Sequence, residues 1–147
     1  MKLSMGDLAP DFVALDQHGK EHRLGDYAES WLILYFYPRD NTPGCIKEAC
    51  GFRDDYEKLI QHASVVGVSS DSVNSHKKFA EKYSLPFVLL SDPKREMLGD
   101  YGADGLIFAK RTTFVINPEG KIAKIYEKVS PDTHSQELLE YLKSLSL

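Results

Sequence analysis

Apolar and polar positions along the chain fall into two kinds of pattern: short unbroken apolar runs, and longer stretches where apolar residues recur every three or four positions. The run at 31–37, WLILYFY, is apolar or aromatic throughout, as expected of a strand covered on both faces. Pro38 ends it. Beyond it, Ile46, Ala49, Phe52, Tyr56, Leu59 and Ile60 step by threes and fours and predict one face of a helix. Thr42 suits the N-cap of that helix, and Pro43 its first position, where a missing N–H costs nothing. Cys45 is then the third helical residue. The run at 64–68 reads as a short buried strand, and the serines and aspartate at 69–72 cap a helix reaching about Tyr83 with Val73, Phe79, Ala80 and Tyr83 inward.

The rest of the chain repeats these signals. Residues 87–90 form another short strand, and Asp92-Pro93 opens a brief helix through Met97, Leu98 and Tyr101, with a loop at 102–105. Segments 112–116 and 121–126 flank Asn117-Pro-Glu-Gly120, a strong turn, and so read as an antiparallel hairpin. A last helix spans 134–145 with Leu138, Leu139, Leu142 and Leu145 on its core side. At the other end, 11–15 and 20–24 flank Asp16-Gln-His-Gly19 as a further hairpin. Strand and helix alternate, which predicts an α/β architecture.

Composition narrows the class. With 147 residues, 42% of them hydrophobic and 27% charged, residues 1–147 are expected to form a single domain with one ordinary core. The net charge of −4 makes no electrostatic case for nucleic acid or an anionic membrane as partner. The first residues lack a leader pattern, and no apolar run approaches the ~20 residues that span a bilayer. A soluble, cytoplasmic chain is the expectation. Two cysteines five positions apart are no disulfide framework, so metal binding or redox chemistry becomes the question.

A thiol in the first helical turn lies near free backbone N–H groups and the positive end of the helix dipole, both of which favour the thiolate. Cys45 is therefore either a nucleophile or a small buried hydrophobe; the flanking Thr42, Pro43 and Gly44 argue for a functional loop at the carboxyl end of a central strand. Cys50 is open too. Residues five apart on a regular helix have α-carbons about 8.6 Å apart, beyond the ~4.4–6.8 Å of a disulfide. Cys50 either packs in the core or meets Cys45 only after the helix start unwinds, near Gly51, which weakens a helix by ~1 kcal/mol relative to alanine. No metal is expected: the cysteine spacing lacks paired ligands, and His18, His22, His62, His76 and His134 are scattered without ligand spacing except His18 and His22, which flank a predicted turn.

These residues also carry a family resemblance. Pro38-x-x-x-Thr42-x-x-Cys45 resembles the peroxiredoxin signature, and the longer stretch through Glu48-Ala-Cys50-x-Phe52-Arg53-Asp54 is similar to the peroxiredoxin Q type, also called bacterioferritin comigratory protein. Ala9-Pro-Asp-Phe12, Gly67-Val-Ser-Ser-Asp71 and Arg111-Thr-Thr-Phe-Val-Ile116 resemble that family's segments in the same order. Ile46 departs from it, standing where a threonine is common. The resemblance implies a thioredoxin-like fold, a mixed sheet flanked by helices with an N-terminal hairpin as an extension.

It also implies a thiol-dependent peroxidase acting on hydrogen peroxide and organic hydroperoxides, with no cofactor. Cys45 would be the peroxidatic nucleophile. Thr42 and the backbone N–H groups of Gly44 and Cys45 would hold the peroxide, and the Pro38 ring would shield the sulfur. Arg111, by itself readable as a solvated surface charge, is placed by the resemblance beside the sulfur. Glu48 either orients Arg111 or is a solvated helix residue. Some members of the family carry a cysteine at the Cys50 spacing as the resolving thiol, which attacks the Cys45 sulfenic acid, and thioredoxin or a similar dithiol then recycles the disulfide. The type implies a monomer.

From a different class, a thioredoxin-fold interaction protein would use the two cysteines as a redox switch, reacting once with peroxide instead of turning over. A thioredoxin-like reductase would need Cys-x-x-Cys, which is absent. Other motifs of a glutathione-peroxidase-like enzyme are missing too, and a holdase chaperone has only aromatic content in its favour.

Overall fold

The strand Leu32–Phe36, β3, is the middle of the molecule, and all five of its residues are buried. In the computed structural model, which describes residues 2–145, seven strands form one sheet in the order β2-β1-β5-β4-β3-β6-β7. The strands are β1 (Val13–Leu15), β2 (Glu21–Arg23), β4 (Ser64–Ser69), β5 (Val88–Ser91), β6 (Thr112–Ile116) and β7 (Ile122–Tyr126), and the helices are α1 (Pro43–Asp54), α2 (Tyr56–Leu59), α3 (Val73–Tyr83), α4 (Glu96–Asp100) and α5 (His134–Ser144). β4 and β5 run parallel to β3, while β6 runs antiparallel to it and pairs with β7 as a hairpin. The N-terminal hairpin β1–β2 joins the edge through Leu15 opposite Ser91.

Alternation along β3 divides the core. Ile33 and Tyr35, with Tyr37 just beyond, face Phe52 of α1, Phe79 of α3 and Leu138 of α5. Leu32, Leu34 and Phe36 face Leu98 of α4 and the N-terminal residues Ala9 and Phe12. Successive side chains of a strand point to opposite faces, so a run buried at every position demands cover on both sides.

Three expectations need correction. The stripe from Ile46 to Ile60 is not one helix: Asp55, with φ −98° and ψ 7°, separates α1 from α2. The Ser135 hydroxyl of α5 donates to Asp55 Oδ2 (2.7 Å) at that break, and the turn carries Ile60 outward to 49% exposure. Leu145 lies just past the end of α5 and is 40% exposed, so the last turn does not bury it. The brief helix after Asp92-Pro93 begins only at Glu96, because Arg95 takes a left-handed conformation (φ 61°) and the Asp92 carboxylate accepts from the Leu98 N–H instead.

Candidate active site

The sheet register brings the site together. β6 is antiparallel to β3, with Thr112 opposite Phe36, so the residue before β6 lies where β3 ends and the loop to α1 begins. That residue is Arg111. Its Nη2 donates to Cys45 Sγ at 3.3 Å and its Nη1 to Glu48 Oε1 at 2.5 Å. Cys45 and Glu48 sit three apart on α1, one helical turn, so both face the guanidinium. Each is only 1% exposed. The alternatives left open for Arg111 and Glu48 are thereby decided: neither is a solvated surface charge, and the carboxylate holds the fork that reaches the sulfur.

Gly44 suits this approach: a Cβ there would stand 3.0 Å from Arg111 Nη2, so the guanidinium would have to give by a few tenths of an ångström. Thr42 occupies the N-cap as expected, but its side chain does not cap the helix. Its hydroxyl donates to the Arg39 carbonyl (2.9 Å), and the Gly44 and Cys45 N–H groups make no hydrogen bond within the described residues. An uncapped helix start with free N–H groups favours an anion. Pro38 is half-buried just after β3, and beyond it Arg39 lies over the Phe108 ring (5.8 Å) at the rim.

The charges beneath the sulfur are unevenly satisfied. Burial pushes the Glu48 carboxyl up to about 7, against the opposing pull of Arg111. Burial also works against the Arg111 charge, yet Glu48 and Cys45 beside it hold it above its ordinary value. Glu48 Oε2 and the Tyr35 hydroxyl are buried and unpartnered among the described residues. Tyr35 titrates well above its usual range, chiefly through burial and then through the nearby Glu48 and Cys45.

Cys50 is half-buried, and both cysteines are free thiols on one unbroken helix. Gly51, read above only as a weak point, has a second role. A Cβ there would lie 3.2 Å from Ser135 Oγ, so the glycine lets α5 pack closely on α1. His134, at the start of α5, pairs with Thr113 of β6 (2.8 Å) and Glu137 (3.0 Å), and burial holds its imidazole below the ordinary value. Asp40 escaped the sequence reading, and His76 was read there only as one of the scattered histidines. His76 was detectable, since it lies three after Val73 and four before Ala80 on the inward stripe of α3.

A helix-start thiol beneath an arginine that a buried carboxylate holds, on a thioredoxin-like sheet, defines the class of thiol peroxidases. Comparison with known proteins agrees. Residues 5–125 match the AhpC/TSA family. The chain is 44% identical to the chloroplastic peroxiredoxin Q of Arabidopsis thaliana over 97% of its own length and 68% of that protein's. Its structure superposes on peroxidoxin BcpB from Mycobacterium tuberculosis with a TM-score of 0.93, at 36% identity and 99% coverage of both chains. It also superposes on Xanthomonas campestris bacterioferritin comigratory protein, studied for alkyl peroxide reduction, with a TM-score of 0.86, at 30% identity and 90% coverage of both. The chain belongs to the AhpC/TSA family and, within it, to the peroxiredoxin Q type. It is a peroxidase of the oxidoreductase class.

Proposed function

We propose that Cys45 is the peroxidatic nucleophile and Cys50 the resolving thiol of a peroxidase that reduces hydrogen peroxide and organic hydroperoxides and is recycled by thioredoxin. The observation that carries this reading is the 3.3 Å hydrogen bond from Arg111 Nη2 to Cys45 Sγ at an uncapped helix start. The Cys45 thiolate attacks one peroxide oxygen. The O–O bond breaks, the sulfur becomes a sulfenic acid, and the other oxygen leaves as hydroxide or alkoxide and takes up a proton. Charge growing on that oxygen calls for fixed donors. Arg111 and the N–H groups of Gly44 and Cys45 supply them. The Thr42 hydroxyl, its proton committed to Arg39, has lone pairs left to accept from a bound hydroperoxide, and Pro38, which has no N–H, walls the loop.

In the second step the Cys50 thiol displaces water from the Cys45 sulfenic acid and forms the disulfide. A dithiol then reduces that bond and leaves as its own disulfide. The two thiols are carried on one continuous helix, so the second step requires the start of α1 to unwind. The alkyl peroxide activity studied in the Xanthomonas relative supports organic hydroperoxides as substrates.

The test is peroxide-dependent consumption of reductant in a system of thioredoxin, its reductase and nicotinamide, for the native chain, Cys45→Ser and Cys50→Ser. Cys45→Ser is expected to abolish turnover, and Cys50→Ser to stop it after one equivalent of peroxide. A native chain that forms a disulfide once but never turns over would mark the redox switch instead.

A further inference from the structure

The loop between β3 and α1 holds a second buried polar cluster that the peroxide chemistry does not use. Asp40, midway between Pro38 and Thr42, turns its carboxylate inward. Oδ1 accepts from the Tyr37 hydroxyl (2.6 Å), while Oδ2 accepts from the Ser75 hydroxyl (2.7 Å) and lies 2.7 Å from His76 Nδ1. Its own N–H donates to Asp71 Oδ2 (2.8 Å). The Asp40 and His76 side chains are 2% and 0% exposed. His76 Nε2 faces the Leu90 carbonyl at 2.9 Å. A carbonyl only accepts, so Nε2 carries a hydrogen, and a further proton lies between Nδ1 and the Asp40 carboxyl. Asp40, Asp71 and His76 stand close enough to ligate a cation. The facing atoms of Asp40 and His76 are already engaged with each other and with Ser75, so the cluster is a clamp.

Its placement gives the clamp a consequence. On one side it grips the end of β4, the first turn of α3 and a carbonyl of β5. On the other it grips the loop that leads, five residues later, to Cys45. We propose that Asp40 and His76 are positioning residues that hold this loop, keeping the start of α1 folded under Arg111 and confining its unwinding to the residues beyond Asp40. The unwinding half rests on the reading of Cys50 as the resolving thiol. Loosening the clamp then acts in opposite directions on the two steps. Cys45 spends less time beneath Arg111, which slows reaction with peroxide, and the unwound form is more populated, which speeds closure of the disulfide.

The experiment compares Asp40→Ala with Asp40→Asn. The amide can accept from Tyr37 and donate to a neutral His76 Nδ1, so it rebuilds the clamp without a charge. In a Cys50→Ser background, quenched-flow loss of the Cys45 thiol on mixing with hydrogen peroxide measures the first step alone. Asp40→Ala is expected to slow it about tenfold or more, since a misplaced reacting group forfeits rate on that scale, with Asp40→Asn recovering most of the loss. With Cys50 present, disulfide closure after one equivalent of peroxide is expected to be faster in Asp40→Ala. Both rates falling together, neither changing, or Asp40→Asn matching Asp40→Ala would overturn the proposal. If Asp40→Ala does not fold by circular dichroism, Tyr37→Phe and Ser75→Ala must each show the same opposed changes at smaller size, and their failure to do so overturns it equally. If no disulfide forms in the native chain, the Cys50 reading falls, and the first-step comparison still decides the clamp.

Discussion

Two buried polar clusters flank the loop at 38–42, and they differ in how completely their atoms are paired. Around Asp40 and His76 both carboxylate oxygens and both ring nitrogens have partners. Around Cys45 the pairing is incomplete: among the described residues Glu48 Oε2 and the Tyr35 hydroxyl have no partner, and the Gly44 and Cys45 N–H groups are free, the first intrahelical bond running from Ile46 to the Thr42 carbonyl. A filled network rigidifies, because no member can move without stranding another. An unfilled one leaves donors and charge available to a reacting group. The first cluster therefore sets where the loop sits, and the second what happens on it.

Substitutions can break that comparison. The largest effect on rate is expected from Arg111→Ala, which removes the donor to the sulfur. Turnover should fall by roughly 10²–10³-fold, as for the loss of one aimed donor at a developing charge; the Glu48 carboxyl it strands, already raised to about 7, takes up a proton, which limits the loss of stability in urea. His76→Ala should do the reverse in stability. It strands the Asp40 carboxylate and is expected to cost on the order of 3–5 kcal/mol in urea melts, far more than Arg111→Ala. Equal destabilisation by the two would erase the distinction between the clusters.

Glu48 sharpens the comparison through pH. Its carboxyl is raised from 4.5 to about 7 in the folded chain, so across that window the folded state holds a proton that the unfolded state has released. Stability from this group is full below about 4.5 and declines as pH rises toward 7. Glu48→Gln should flatten the decline, gaining stability on the order of 1–3 kcal/mol at pH 8 relative to pH 5 when compared with the native chain. An unchanged pH slope would mean that Glu48 stays ionised. Smallest is Ser72→Ala. The hydroxyl accepts from the Ser75 N–H (3.1 Å) at the start of α3, so its loss should cost about 1 kcal/mol and leave peroxide turnover unaltered.

Legibility followed the range of the interactions. Thr42, Pro43 and Cys45 could be placed on a helix start because capping and dipole effects act within one turn. Arg111 was another matter. Nothing within its own segment distinguishes it from a surface charge, and only a resemblance spanning most of the chain pointed it toward Cys45, 66 positions away. Ile60 and Leu145 were misplaced because periodicity assumes that a helix continues, whereas Ser135 bonding to Asp55 is a contact between distant segments.

The sequence by itself determined the alternation of strands and helices, the two-sided burial of β3 and the placement of Cys45 at a helix start, since each depends on neighbours a few positions apart. Only the tertiary structure decided that Arg111 and Glu48 grip each other beneath Cys45 and that Asp40 meets His76. Those pairings join segments 63 residues apart for Arg111 and Glu48 and 36 apart for Asp40 and His76. They exist because the antiparallel register of β6 and the packing of α3 bring distant chain together, a geometry that local spacing does not encode.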